Sequence, residues 1–251
     1  MVLERILART RTDLAARRRA RPLATLWREV SPSARSLAAA LRGGRTGFIL
    51  ECKHASPSEG VIRDPYRPAA IARAYAGHAD AISVLTDEPW FHGSLGHLET
   101  VSRTVAVPVL RKDFVVDPWQ VIESRVHGAD AVLLMLSVLD DGGWTECAAA
   151  ARDAGMETVT EVHSFAELDR ALTLEAPIIG INNRNLATLE VDLGVTRALA
   201  PRVPCDRILV CESGLSSHAQ VRELRPLVDA FLVGTTLMRK RDLPEAARHL
   251  I

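Results

Sequence analysis

Eight short runs rich in Val, Ile and Leu recur along the chain with amphipathic segments between them, and no other feature restricts the fold as much. The runs are FILECK (48–53), AISVLT (81–86), VPVLRKD (107–113), AVLLML (131–136), ETVTEV (157–162), PIIGINN (177–183), RILVCES (207–213) and AFLVG (230–234). A strand covered on both faces reads as a nearly continuous apolar run, whereas a strand with one wet face alternates. The segments between them, such as PYRPAAIARAYAGHA and SFAELDRALTLEA, read as helices. Asp117-Pro118 and Ser164 serve as start signals and Gly128 and Gly155 as stops. Parallel neighbours require crossovers of this kind.

Eight such units in 251 residues predict an α/β fold, a (β/α)8 or TIM barrel over residues 47–251 with a helical extension over 1–46, as a single domain. A doubly wound open sheet is the competing arrangement. Against it, no GxGxxG turn follows the first run, and polar residues punctuate many strand ends rather than one crevice. Apolar residues make up 47% of the chain, ample for a large core, and the formal net charge of zero gives no reason to expect nucleic acid or an anionic membrane as partner. Arg17, Arg18, Arg19 and Arg21 read as a solvated helix face, because no aromatic platform accompanies them. No apolar run approaches the roughly 18 residues of a membrane span, and no signal-peptide pattern opens the chain. Cys52, Cys147, Cys205 and Cys211 are scattered without metal-type spacing. The expectation is a reducing cytoplasm and no metal site.

Lysine usage is informative. Of 31 basic residues only Lys53, Lys112 and Lys240 are lysine, and two of those end strands. Guanidinium holds its proton to very high pH, while a buried ammonium titrates, so lysine is retained where a proton must be given up.

Active sites of such barrels gather at the carboxyl ends of the strands. There the sequence offers Glu51 and Lys53 on the first strand, Lys112, Asp113 and Phe114 on the third, and Glu161 on the fifth. Asn182 and Arg184 end the sixth, Glu212, Ser213 and Gly214 the seventh, Gly234 and Thr235 the eighth. Each alone has a structural alternative: Glu51 can pair with Lys53, Asp113 can pair with Lys112 or cap a turn, and Glu161 can pair with a lysine across the barrel. Their convergence on one rim favours chemistry, because burying unpaired charge costs several kcal/mol. The small residues of ESGLSS and VGTTLM predict a phosphate site after the seventh and eighth strands, with Arg184 or Lys53 adding charge. His54 and His163 stand just past strands at turns and read as ordinary exposed loop histidines.

ECKHASPSEG, ISVLTDEPWFHGS, VLRKDF, LLMLSVL, TEV, GINNRNL, ESGL and FLVGTTLM together resemble the indole-3-glycerol phosphate synthase family, in unbroken order from about residue 3 to the carboxyl terminus. The ECK-x-ASPS and SVLDD spellings are similar to the bacterial synthase that is fused to phosphoribosylanthranilate isomerase. The sequence ends after one barrel, so no fused isomerase is expected. The resemblance implies a cofactor-free carboxy-lyase of tryptophan biosynthesis, a cytoplasmic monomer or weak homodimer. Its substrate would be the sugar phosphate 1-(2-carboxyphenylamino)-1-deoxyribulose 5-phosphate.

By the same resemblance Lys112 is the general acid, Lys53, Glu51 and Glu161 share the later proton transfers, and Asn182 orients substrate with Glu212 nearby. Ser213, Gly214, Gly234 and Thr235 hold the phosphate. Phe91, Phe114, Leu133, Leu186 and Leu232 line the anthranilate slot beside Ser56 and Pro57 of a loop that closes over substrate, to which Ser58 also belongs. Two positions on that loop depart from the family pattern: His54 where Lys or Arg is common, and Glu59 where Lys is common. Thr235 replaces a common Ser and keeps its hydroxyl. An isomerase reading would need a reactive Cys at the mouth, and Cys52 is predicted to face outward. A non-catalytic ligand-binding barrel is the reading from another class.

Overall fold

A computed structural model describes residues 2–251. Its eight barrel strands are β1 (Gly47–Cys52), β2 (Ala81–Leu85), β3 (Val109–Lys112), β4 (Ala131–Met135), β5 (Glu157–Val162), β6 (Ile178–Asn182), β7 (Ile208–Glu212) and β8 (Ala230–Val233). Each pairs in parallel with the next, and β8 pairs with β1 to close the barrel. The open sheet is thereby excluded. Seven strands stop one residue short of the run that predicted them, β5 alone ending where its run ends, so Lys53, Asp113, Ser213 and Gly234 lie just beyond the ladder. The ladder ends where the chain must turn toward the following helix.

The strands divide their side chains between two cores. Phe48, Leu50 and Cys52 of β1 pack outward with helix residues such as Ile71 and Tyr75, whereas Ile49 faces inward with Leu110, Val159 and Val210. Side-chain alternation along each strand enforces that division. The helices start where the sequence signals them: the Asp117 carboxylate accepts the Trp119 N–H at 2.8 Å, and the Ser164 hydroxyl accepts that of Glu167 at 3.2 Å. Gly128 and Gly155 end helical segments in the left-handed region, at φ +88° and +67°.

The extension does two things. Helix Leu37–Leu41 inserts Leu37 and Leu41 into the inner core at the amino-terminal mouth, while helix Val2–Ala20 buries Ile6 and Leu14 against the outside. Acidic residues at the amino-terminal mouth have backbone partners: Asp80, Asp130 and Asp229 each accept, at 2.8 Å, the N–H near the start of a neighbouring strand, at Phe48, Val109 and Leu209. Those carboxylates hold strand starts together. The acids at the other mouth are arranged differently. Among the described residues no helix is long and apolar enough to cross a membrane.

Candidate active site

Ile49, Leu110, Val159 and Val210 come from β1, β3, β5 and β7 and fill one stretch of the inner core. The next inward positions on the same strands are Glu51, Lys112, Glu161 and Glu212. Alternate strands of a barrel supply the side chains of one layer. The apolar layer is therefore surmounted by a layer of four ionisable groups. Lys112 Nζ lies 2.9 Å from Glu161 Oε2 and 3.1 Å from Glu212 Oε2. Lys53, one inward position beyond Glu51, sets its Nζ 2.9 Å from Glu51 Oε1.

Burial alone would lower the pKa of Lys112, but Glu161, then Glu212 and Glu51, more than offset it and hold the ammonium above the usual lysine value. Burial likewise opposes ionisation of Glu161, yet Lys112 and His163 hold it below the usual carboxylate range. Glu212 goes the other way. Burial raises it to about 7, since Lys112 offsets only part of that cost and the Glu161 charge adds to it. The contact with Lys112 lacks hydrogen-bond alignment, and neither Glu212 oxygen completes a hydrogen bond among the described residues. One layer thus holds a proton-rich ammonium, a fixed carboxylate and an acid titrating near neutrality, the mixture that general acid–base chemistry uses.

Two glycines make room for it. A Cβ on Gly180 of β6 would lie 2.1 Å from Glu212 Oε1, and one on Gly234, just past β8, 2.1 Å from Glu51 Oε1. Sequence reading counted Gly234 only as part of a phosphate turn and passed over Gly180. Small residues facing a predicted inward acid on the adjacent strand are the signal that was available.

Above this layer is a cavity of about 250 Å³ reached by most of the predicted site residues. Ser213, Gly214, Gly234 and Thr235 line one side of it. Ser213 is held at φ +64°, a left-handed conformation costing a non-glycine residue roughly 1–2 kcal/mol, and Gly214 follows at +87°. The Asn183 side-chain amide pins that turn by donating to the Glu212 and Ser213 carbonyls at 2.9 and 3.2 Å. Phe91, Phe114, Leu133, Leu186 and Leu232 form the apolar side, the two phenylalanine rings being 6.2 Å apart. Asn182 and Arg184 border both: Asn182 Oδ1 accepts the Arg184 N–H at 3.0 Å, and the Arg184 guanidinium donates to the Leu189 carbonyl at 2.8 Å. Ser56 and Pro57 border a smaller adjoining cavity with Val2, Leu3 and Ile6 of the first helix.

Arg111 escaped sequence reading, and Asp113, His163 and Glu59 have partners that it did not name. Asp113 pairs with Arg111 at 2.8 Å rather than with Lys112. Arg111 is wholly buried on the outer face of β3, donating also to Thr86 at 2.9 Å and meeting Glu123 at 3.1 Å. If Lys112 faces in, Arg111 must face the helix layer, so strand parity held that signal. His163, expected to be an exposed loop histidine, has a side chain only 14% exposed with Nε2 3.3 Å from Glu161 Oε1. Glu59 lines the cavity and pairs with Arg239 at 2.5 Å. Among the described residues no His, Cys, Asp or Glu set converges as a metal site.

A closed (β/α)8 barrel with ionisable groups and small-residue turns around a cavity at its carboxyl-terminal mouth defines the class. The family model described as indole-3-glycerol phosphate synthase matches residues 3–250, and the chain belongs to that family. It is 46% identical over 258 residues to indole-3-glycerol phosphate synthase of Azospirillum brasilense, covering all of this chain and 98% of that protein. It is 48% identical over 250 residues to the tryptophan biosynthesis protein TrpCF of Yersinia pestis, covering 53% of that protein, so the chain spans about half the length of such relatives. Among solved structures, 3-hexulose-6-phosphate synthase from Salmonella typhimurium superposes with a TM-score of 0.65 at 16% identity, over 82% of this chain and 96% of that one. That likeness concerns the fold alone.

Proposed function

We propose that the chain is an indole-3-glycerol phosphate synthase, closing 1-(2-carboxyphenylamino)-1-deoxyribulose 5-phosphate to indole-3-glycerol phosphate with loss of carbon dioxide and water. The observation that carries this reading is the Lys112 ammonium held between Glu161 and Glu212 on the cavity floor, with an apolar wall on one side and the Ser213–Gly214 turn on another. In the proposed scheme the phosphate sits on Ser213, Gly214, Gly234 and Thr235, its charge met by Lys53 or Arg184. The anthranilate ring lies between Phe91, Phe114, Leu133, Leu186 and Leu232, with Ser56 and Pro57 closing over it. Lys112 protonates the ribulose carbonyl oxygen as the ring carbon attacks; its raised pKa keeps the proton in place until that oxygen gains alkoxide character. Glu51, Lys53, Glu161 and Glu212 handle the protons of decarboxylation and dehydration, and Asn182 orients the substrate hydroxyls.

The isomerase alternative has no support in the cavity, because Cys52 is buried among the outward core residues. The chain is read as a cytoplasmic monomer or weak homodimer. Mixing purified protein with substrate tests the reading: indole emission should grow with stoichiometric release of carbon dioxide. Tight binding without carbon dioxide release would make the chain a ligand-binding barrel instead.

A further inference from the structure

His163 follows β5 and lies between two acids on opposite ring edges. Its Nδ1 is 3.2 Å from Glu167 Oε2, an oxygen that also accepts the His163 backbone N–H at 2.7 Å. Its Nε2 is 3.3 Å from Glu161 Oε1, while Lys112 takes the other oxygen, Oε2, at 2.9 Å. The Nδ1 edge hydrogen-bonds Glu167, whereas Nε2 lies within ion-pair distance of Glu161 Oε1 without an aligned hydrogen bond, so that second contact is one of charge. A ring set between two carboxylates at these distances is favoured as the doubly protonated cation. Burial opposes that charge, but Glu161 and Glu167 outweigh it and raise the pKa to about 10. The remaining surroundings favour the cation. Lys112 and Glu212 face Glu161 from β3 and β7. Glu4 of the first helix, with Arg184, Glu190 and Asp192 beyond β6, borders the cleft that His163 and Glu167 share. Acids outnumber bases in that set.

We propose that His163 is a positioning residue that works as a constant imidazolium: it sets a positive charge beside the second oxygen of Glu161, keeps Glu161 ionised, and so assigns the exchangeable proton of the Glu161–Glu212 pair to Glu212. Two carboxylates sharing one ammonium would otherwise compete for a single proton, since like charges at close range disfavour double ionisation. Glu161 touches two cations and Glu212 one. The asymmetry yields one fixed base and one acid at the same lysine. The inference rests on the synthase reading, where both a base and a re-protonating acid are needed after ring closure.

The His163→Gln variant keeps polarity but removes the charge. We expect its kcat at pH 7 to fall about tenfold or more, and the acid limb of its pH–rate profile to move up by about one unit as Glu161 becomes harder to ionise. KM should change by less than about threefold, because the ring borders the cleft beside Glu167 rather than the phosphate turns. The His163→Arg variant should recover much of the loss by restoring a cation. Independently of turnover, the ring 15N shifts of His163 in the wild-type protein should remain those of imidazolium from about pH 6 to 8. A ring that titrates near its ordinary value, an unmoved acid limb in His163→Gln, or an arginine variant as slow as the glutamine one would each overturn the proposal. Absence of turnover by the wild-type protein would instead overturn the synthase reading, and the nitrogen shifts would still report the charge of the ring.

Discussion

Gly234 leaves the space that Glu51 occupies: a Cβ there would stand 2.1 Å from Glu51 Oε1 and 3.2 Å from its Cβ. The contact is across the β8–β1 seam, so closure of the barrel decides where a carboxylate from its first strand can point. Gly234 has φ −121°, a value open to any residue, so the effect of substitution is steric. Gly234→Ala should fold, displace Glu51 from Lys53, and lower kcat by about tenfold to a hundredfold, the scale expected when a reacting group is misplaced by about 1 Å. Steady-state kinetics with a crystal structure of the variant would check it; unchanged turnover with a displaced Glu51 would remove that residue from the proton chemistry.

Lys112→Met preserves the aliphatic stem and removes the proton. General-acid contributions run to about 10²–10⁴-fold, so turnover of this variant should fall by about a thousandfold while ligand affinity stays within about threefold in a titration. Turnover at the wild-type level would eliminate the lysine acid.

Glu212 gives a stability prediction with a definite sign. Its pKa is raised from 4.5 to about 7 on folding. The stability it contributes is present in full below 4.5 and lost as pH rises through 7, because the folded state then has to ionise a buried acid. The loss amounts to about 3 kcal/mol by pH 8. Glu212→Gln cannot ionise and avoids it. Urea unfolding should find this variant more stable than wild type at pH 8 by about 1–3 kcal/mol, with the advantage shrinking toward pH 5. An advantage that grew on acidification would contradict the raised pKa.

The pair between Glu59 and Arg239 ties the first loop to the chain beyond the Thr235–Met238 helix, yet Arg239 is 62% exposed. Exposed pairs contribute only about 0.2–1 kcal/mol and weaken with salt. Glu59→Gln should therefore alter KM by less than about fivefold, and by less again at high ionic strength. A change of fiftyfold, independent of salt, would mean that Glu59 touches the substrate directly.

Much of this molecule was legible in its sequence for a simple reason. Doubly buried parallel strands require apolar runs, and crossovers require amphipathic segments with caps, so element order followed directly. Strand parity then determined that Glu51 and Lys53 share one face and that Cys52 lies on the other. It also carried the unread consequence that Arg111 is buried beneath the helices.

What the chain determined by itself was therefore direction: which residues point inward, and that charge accumulates at the carboxyl ends. What only the tertiary structure decided was partnership. Parity names a face but no neighbour across it, and Lys112, Glu161 and Glu212 are separated by long stretches of chain that barrel closure alone brings to 2.9 and 3.1 Å. The same closure buries His163 between two acids, and it makes Gly180 and Gly234 matter for the volume they leave to carboxylates on neighbouring strands.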